Sequence, residues 1–194
     1  MRTKVYILII TVLTIHFVTL TSQVYAESSS SREYQVKAAF LYSFINFIDW
    51  PKEKMKDDND EPILMGIIGK DPFGDAFEPI KNKLVKGKRV VVRRFKGFNE
   101  IKNSIDEIDT LGKCHLLYIC PSEKGNNHRI IEIAQKNSIL TVGDTESFLE
   151  DDGIINFIME ENKVRFEINN NAAEKSKLNI RSKLLRLAKR VISD

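Results

Sequence analysis

From Pro62 onward the chain switches repeatedly between short continuous apolar runs and stretches of helical period, and few folds accept that rhythm. Ile63 to Ile68 (ILMGII), Arg89 to Phe95, Cys114 to Ile119 and Ser138 to Val142 read as strands, most of them buried on both faces, because the runs lack the polar alternation of a strand with one wet side. Between them the sequence predicts a short helix to Ile80 with Asp71 as N-cap and Pro72 in its first turn. It also predicts an imperfect helix over Phe98 to Ile108, and one over His128 to Lys136 with Ile130, Ile131, Ile133 and Ala134 inward. Such alternation implies an α/β fold: a mostly parallel sheet with helices on both faces, Rossmann-like and three-layered.

The end of the chain breaks the rhythm. Gly153 to Met159 and Lys163 to Ile168 are strand-like runs joined by Glu160-Glu161-Asn162, which predicts a C-terminal antiparallel hairpin. In the second run Val164, Phe166 and Ile168 share one face and Lys163, Arg165 and Glu167 the other. A last helix is expected over Ser182 to Ile192, burying Leu184, Leu185, Leu187, Ala188 and Val191. At the front, a core helix from about Glu33 to Asp49 is expected to begin with a Ser30/Glu33 capping box and to stop at Trp50-Pro51. Its principal face would be Val36, Ala39, Phe40, Ser43, Phe44 and Phe47, widened by Leu41, Ile45 and Ile48. Tyr42 and Trp50 would pack in the core and at the helix end.

What precedes that helix governs location. Arg2 and Lys4 open the chain, Val5 to Leu20 is almost unbroken apolar sequence, and Val24-Tyr25-Ala26 then precedes polar Glu27 and a run of serines. The pattern is that of a signal peptide over residues 1–26, cleaved on export, leaving one domain over residues 27–194. The apolar run is about 16 residues against the roughly 20 needed to span a bilayer, and the alternative is an uncleaved inner-membrane anchor. Without Arg2 and Lys4 the 30 basic residues nearly balance the 27 acidic ones, so global charge points to no nucleic-acid partner. Lys81, Lys83, Lys86, Lys88, Arg89, Arg93, Arg94 and Lys96 crowd one stretch, with Asp57, Asp58, Asp60 and Glu61 just upstream; a solvated strand edge and loop accounts for them before an anionic docking patch does.

Chemistry-bearing residues are sparse. Cys114 and Cys120 are the two cysteines, and a strand between them would hold their sulfurs about 20 Å apart. A disulfide needs Cα atoms within about 7 Å, so the two are expected not to bridge each other, leaving buried small hydrophobes, redox thiols or a bridge between chains. The strand-to-helix turn at Gly69-Lys70-Asp71 sits where nucleotide folds bind phosphate, but no Ser or Thr follows Lys70 and Asp71 repels anions, so it is not a P-loop. His115 falls mid-strand, facing away from Cys114, and His128 opens a helix. No zinc spacing and no Gly-x-Ser-x-Gly elbow occurs. The sequence therefore nominates no catalytic residue, no metal site and no cofactor. Arg165 and Glu167 form a candidate charge pair on the last strand, followed by Asn169, Asn170 and Asn171 as helix caps.

In order along the chain, EYQVKAAFLYSFINFIDWP at residues 33–51, GKDPFG at 69–74, CHLLYI at 114–119, LTVGD at 140–144 leading through Gly153 to NKVRFEIN at 162–169, and LNIRSKLLRLA at 178–188 together resemble the YfiR/HmsC-like periplasmic proteins. The resemblance implies a non-enzymatic negative regulator that holds a membrane diguanylate cyclase inactive by contacting its periplasmic sensor domain, so that loss of the contact raises cyclic di-GMP and promotes biofilm. It departs from some members that carry a cysteine pair flanking the glycine-rich turn, where this chain has Leu149 and Asn156. Partner- or ligand-contacting candidates are Asp71, Arg165, Glu167 and Asn169, and a homodimer is compatible with the sequence. Two other readings follow from the residues: a periplasmic small-ligand sensor, which needs a concave apolar pocket with convergent polar groups, and an exported hydrolase, which needs a nucleophile within reach of His115 or His128.

Overall fold

The computed structural model describes residues 31–55, 61–81 and 83–193. The leader, Ser30 of the expected capping box and the acidic residues Asp57, Asp58 and Asp60 lie outside them. A helix described over residues 31–47 (α1) leads into a two-residue strand, Ile48–Asp49 (β1). The alternating body follows: Ile63–Ile68 (β2), Val90–Phe95 (β3), Phe98–Ile101 (α2), Ile105–Gly112 (α3), Leu116–Ile119 (β4), Asn127–Lys136 (α4) and Leu140–Gly143 (β5). The chain closes with Ile155–Glu160 (β6), Lys163–Asn169 (β7), Asn170–Lys175 (α5), Asn179–Ile180 (β8), Ser182–Leu185 (α6) and Val191–Ile192 (β9).

The main sheet has the order β3-β2-β4-β5-β6-β7-β9. The pairs from β3 through β6 are parallel, β6 and β7 form the antiparallel hairpin, and β9 runs parallel to β7. Glu161 and Asn162, at the hairpin tip, have φ of 49° and 58°. Two successive left-handed residues are what a tight two-residue turn between twisted strands requires. One core, containing α1, α5 and Leu184 of α6, covers one face of the sheet; a second, containing α2, α3 and α4, covers the other. The expected three-layer α/β architecture is the one observed.

Four local expectations are corrected. The helix predicted after Asp71 is a run of turns: Asp71 Oδ1 accepts from the Phe73 amide two residues on, at 2.8 Å, which closes an Asx turn instead of starting a helix. The helix over 98–108 is two short ones, because the Ser104 hydroxyl accepts from the Glu107 amide and starts α3 anew. The C-terminal helix ends at Leu185, and residues 189–192 instead pair with β7: the Lys189 amide donates to the Phe166 carbonyl and the Ile168 amide to the Arg190 carbonyl. The outer backbone edge of β7 thus gains partners, leaving Leu187 and Val191 exposed where burial was expected. Likewise, α1 stops at residue 47, two residues before the expected Asp49, because Ile48 and Asp49 pair with β8 in a small second sheet. Arg181 clamps Asp49 with both Nε and Nη2, and that bond holds the Asp49 carboxyl below its ordinary range.

The predicted α1 face is also turned. Lys37, Ala38, Leu41, Tyr42, Phe44, Ile45 and Ile48 are buried, while Val36, Ala39 and Ser43 face solvent and Phe40 and Phe47 are half-buried. Trp50 and Tyr42 are in the core as expected.

Candidate functional site

In open α/β sheets ligands enter at the carboxyl ends of the strands where the strand order reverses, here between β2 and β4. This chain fills that crevice with its own side chains. A Cβ at Gly69 would lie 2.5 Å from Ser122 Oγ, so the turn after β2 packs directly on the loop after β4. The buried Glu123 carboxylate accepts from the Phe98 amide at 3.0 Å and from Asn126 at 3.1 Å, and Ser122 Oγ accepts from the Lys70 amide. A carboxylate of the protein thus occupies the kind of place that a phosphate takes in nucleotide folds. Asp71 is closed off too: one oxygen holds its Asx turn and the other accepts from Arg94 Nε at 2.6 Å.

The candidate residues near the C-terminus do not converge. Arg165 and Glu167 are not a pair: Arg165 lies 3.9 Å from Glu160, whereas Glu167 takes a two-pronged bond from Arg190 at 2.9 Å. That bond ties β7 to β9 and raises the affinity of the Arg190 guanidinium for its proton. Asn169 caps α5, its Oδ1 accepting from the Ala172 amide and its Nδ2 donating to the Leu149 carbonyl. Asp71, Glu167 and Asn169 are therefore engaged within the fold, and Arg165 alone of the four faces an open surface.

Sequence reasoning missed the most buried charge. Lys37 is 3% exposed and its Nζ donates to Asp144 Oδ2 at 2.7 Å, with Glu33 as a second carboxylate partner. Asp144 follows β5 with its side chain 8% exposed; its other oxygen and the Thr145 hydroxyl have no well-formed hydrogen bond among the described residues, and the buried Tyr118 hydroxyl faces the same carboxylate. Burial works against the Lys37 charge, but the bonds to Asp144 and Glu33 outweigh it and hold the ammonium above its ordinary range. Burial, reinforced by Asp144, raises the Tyr34 and Tyr118 hydroxyls. This network fixes the orientation of α1 on the sheet. One turn away, the exposed side of α1 (Arg32, Val36, Phe40) and the hairpin (Met159, Lys163, Arg165) bound a groove of about 910 Å³.

Both cysteines are buried and unbridged, as the spacing implies. Burial pushes each thiol up to about 12. Only thiolate reacts, so a thiol reagent at neutral pH should modify neither in the native protein and both after denaturation; fast labelling of either in the native state would contradict this environment. His115 is also committed: Nδ1 accepts from the Leu64 amide at 3.1 Å and Nε2 faces the Lys54 carbonyl at 3.2 Å, which fixes the neutral tautomer. No side-chain nucleophile bonds to it among the described residues.

Burial, then the nearby Lys54 ammonium, pushes His115 down to about 4. A folded-state value below the unfolded one means that the unfolded chain binds the proton more readily, so stability falls on acidification below the unfolded value near 6.5. Between about pH 7 and about pH 5 this residue should cost roughly 2 kcal/mol. Urea titrations of wild type and His115→Leu should differ in pH slope over that interval; parallel slopes would remove His115 as the cause. Among the described residues no group of three or more His, Cys, Asp or Glu side chains could hold a metal, and no helix is long and apolar enough to cross a membrane.

A family model described as YfiR/HmsC-like matches residues 34–189. Among curated proteins there is no match. Solved structures share the fold. A conserved domain protein of Vibrio cholerae O1 biovar eltor aligns with a TM-score of 0.50 at 14% identity, over 72% of this chain and 57% of that one. An ABC domain in complex with L-Trp from Streptococcus pneumonia aligns with a TM-score of 0.51 at 13% identity, over 67% of this chain and 55% of that one. The chain spans little more than half the length of either, and at these identities the likeness concerns architecture alone.

Proposed function

The chain belongs to the YfiR/HmsC-like family, and from that premise we propose that it is a periplasmic negative regulator of a membrane diguanylate cyclase, acting by protein–protein binding. The family match over nearly the whole described chain is the observation that carries this reading. Two features support it. The crevice where α/β proteins hold small ligands is filled by Ser122 and Glu123, and a broad concavity lies instead on an outer face, between α1 and the hairpin. In this reading the first 26 residues direct export, and inhibition follows only insofar as the chain binds the inactive state of the cyclase more tightly than the active one.

The test is binding of residues 27–194 to the periplasmic segment of a membrane cyclase encoded beside this gene, with cyclic di-GMP measured in cells with and without the chain. Saturable binding and a rise in cyclic di-GMP on deletion are expected. Absence of binding under both reducing and oxidising conditions, with unchanged cyclic di-GMP, would overturn the reading.

A further inference from the structure

Resting on the reading of this chain as a protein-binding regulator, we propose that the groove between α1 and the β6–β7 hairpin receives an amphipathic helix with an acidic flank from the partner. The floor is apolar and firm. Val36 is 39% and Met159 50% exposed, and between them the half-buried Phe40 ring is braced by Phe157 at 6.0 Å and Phe166 at 5.6 Å. The α1 wall runs from Arg32 to Phe40, about 12 Å at 1.5 Å per residue or a little over two helical turns, which suits a short helix laid lengthwise with apolar anchors three and four residues apart.

Charge selects the occupant. Arg32 and Lys163 have no ion pair among the described residues. Arg165 stands 3.9 Å from Glu160, a carboxylate already held by Lys189 at 2.6 Å. The acidic residue lining the groove, Glu33, is turned to Lys37. The charges left to meet a partner are therefore three cations around an apolar strip. A second copy docked by a two-fold axis would oppose these cations to the same three, which is unfavourable. A lipid surface needs apolar groups that protrude, whereas these lie in a concavity between two elements.

The experiment measures affinity for the cyclase's periplasmic segment with the Arg32→Glu, Lys163→Glu, Arg165→Glu triple variant, with Val36→Glu, and with Ile105→Glu on the opposite face as control. All are surface changes, and circular dichroism checks folding. The triple reversal should weaken binding about thirtyfold or more and Val36→Glu about tenfold, while Ile105→Glu leaves it unchanged. A photo-cross-linking residue at Met159, used in cells, should label an acidic helical segment, mapped by mass spectrometry, and the triple reversal should abolish that label. Unchanged affinity in the triple variant, or cross-links only to another copy, to lipid or to nothing, would overturn the proposal. If wild type binds the cyclase but the groove variants bind equally well, the groove fails and the regulator reading stands. Labelling of an acidic helix in another envelope protein, lost on reversal, with no binding to the cyclase, means the converse.

Discussion

Replacing Lys37 by Met should destabilise the protein by about 3–5 kcal/mol, the ordinary result of removing one partner of a buried ion pair. Methionine keeps most of the aliphatic stem and removes the ammonium, with its bonds to Asp144 and Glu33 and its place over the Tyr34 ring at 4.6 Å. The loss is large because the Asp144 side chain is 8% exposed and one of its oxygens has no well-formed hydrogen bond even in the wild type. Without the Lys37 ammonium the carboxylate is left with the Tyr34 hydroxyl, at 3.5 Å, and the Tyr118 hydroxyl that faces it, neither of them charged. Chemical denaturation of wild type, Lys37→Met, Asp144→Asn and the double variant forms the cycle that isolates the pair. The double variant should recover more than half of the Lys37→Met loss, since a neutral amide needs no counter-charge. A double variant as unstable as the sum of the singles would mean that Lys37 acts through packing and that the ion pair is incidental.

Gly153→Ala should cost about 3 kcal/mol, at the upper end of what overpacking usually costs. A Cβ there would lie 2.3 Å from the Phe148 ring and 2.5 Å from the Phe148 carbonyl oxygen. Phe148 is fully buried and is also wedged against Gly143, where a Cβ would meet the same ring at 2.5 Å. The ring cannot swing from one glycine without striking the other, and the carbonyl is held by its bond from the Gly153 amide at 2.9 Å. Gly125→Ala is the control: nothing lies within 4 Å of its Cβ, and its stability should match wild type within about 0.5 kcal/mol. Equal midpoints for Gly153→Ala and Gly125→Ala in urea would show that the Phe148 wedge yields easily.

These two sites also separate what can be read locally from what cannot. The two glycines flank a segment in the sequence, but only the sheet makes their shared partner Phe148 immovable. Lys37 is harder still. A lysine within a helix of apolar residues suggests a solvated stripe, and its true partner is 107 residues away in sequence, beyond the end of β5. Because α1 is apolar on most of its circumference, periodicity alone did not choose which side meets the sheet. Lys37 meeting Asp144 fixed one rotation, and that rotation turned Val36 and Phe40 toward the groove. Arg165 was nominated through its neighbour Glu167, yet the structure separates the two and leaves Arg165 on the groove wall.

The sequence by itself determined the α/β alternation, the antiparallel hairpin, the separation of the two cysteines and the family. Each of these is written in residue types a few positions apart, where sterics and burial period act directly. Only the tertiary structure decided which face of α1 is buried, that residues 189–192 join the sheet instead of prolonging a helix, and that Glu123 fills the crevice at the strand ends. Those outcomes depend on hydrogen-bonding groups and charges brought together from distant parts of the chain, and a partner far away in sequence leaves no local period to read.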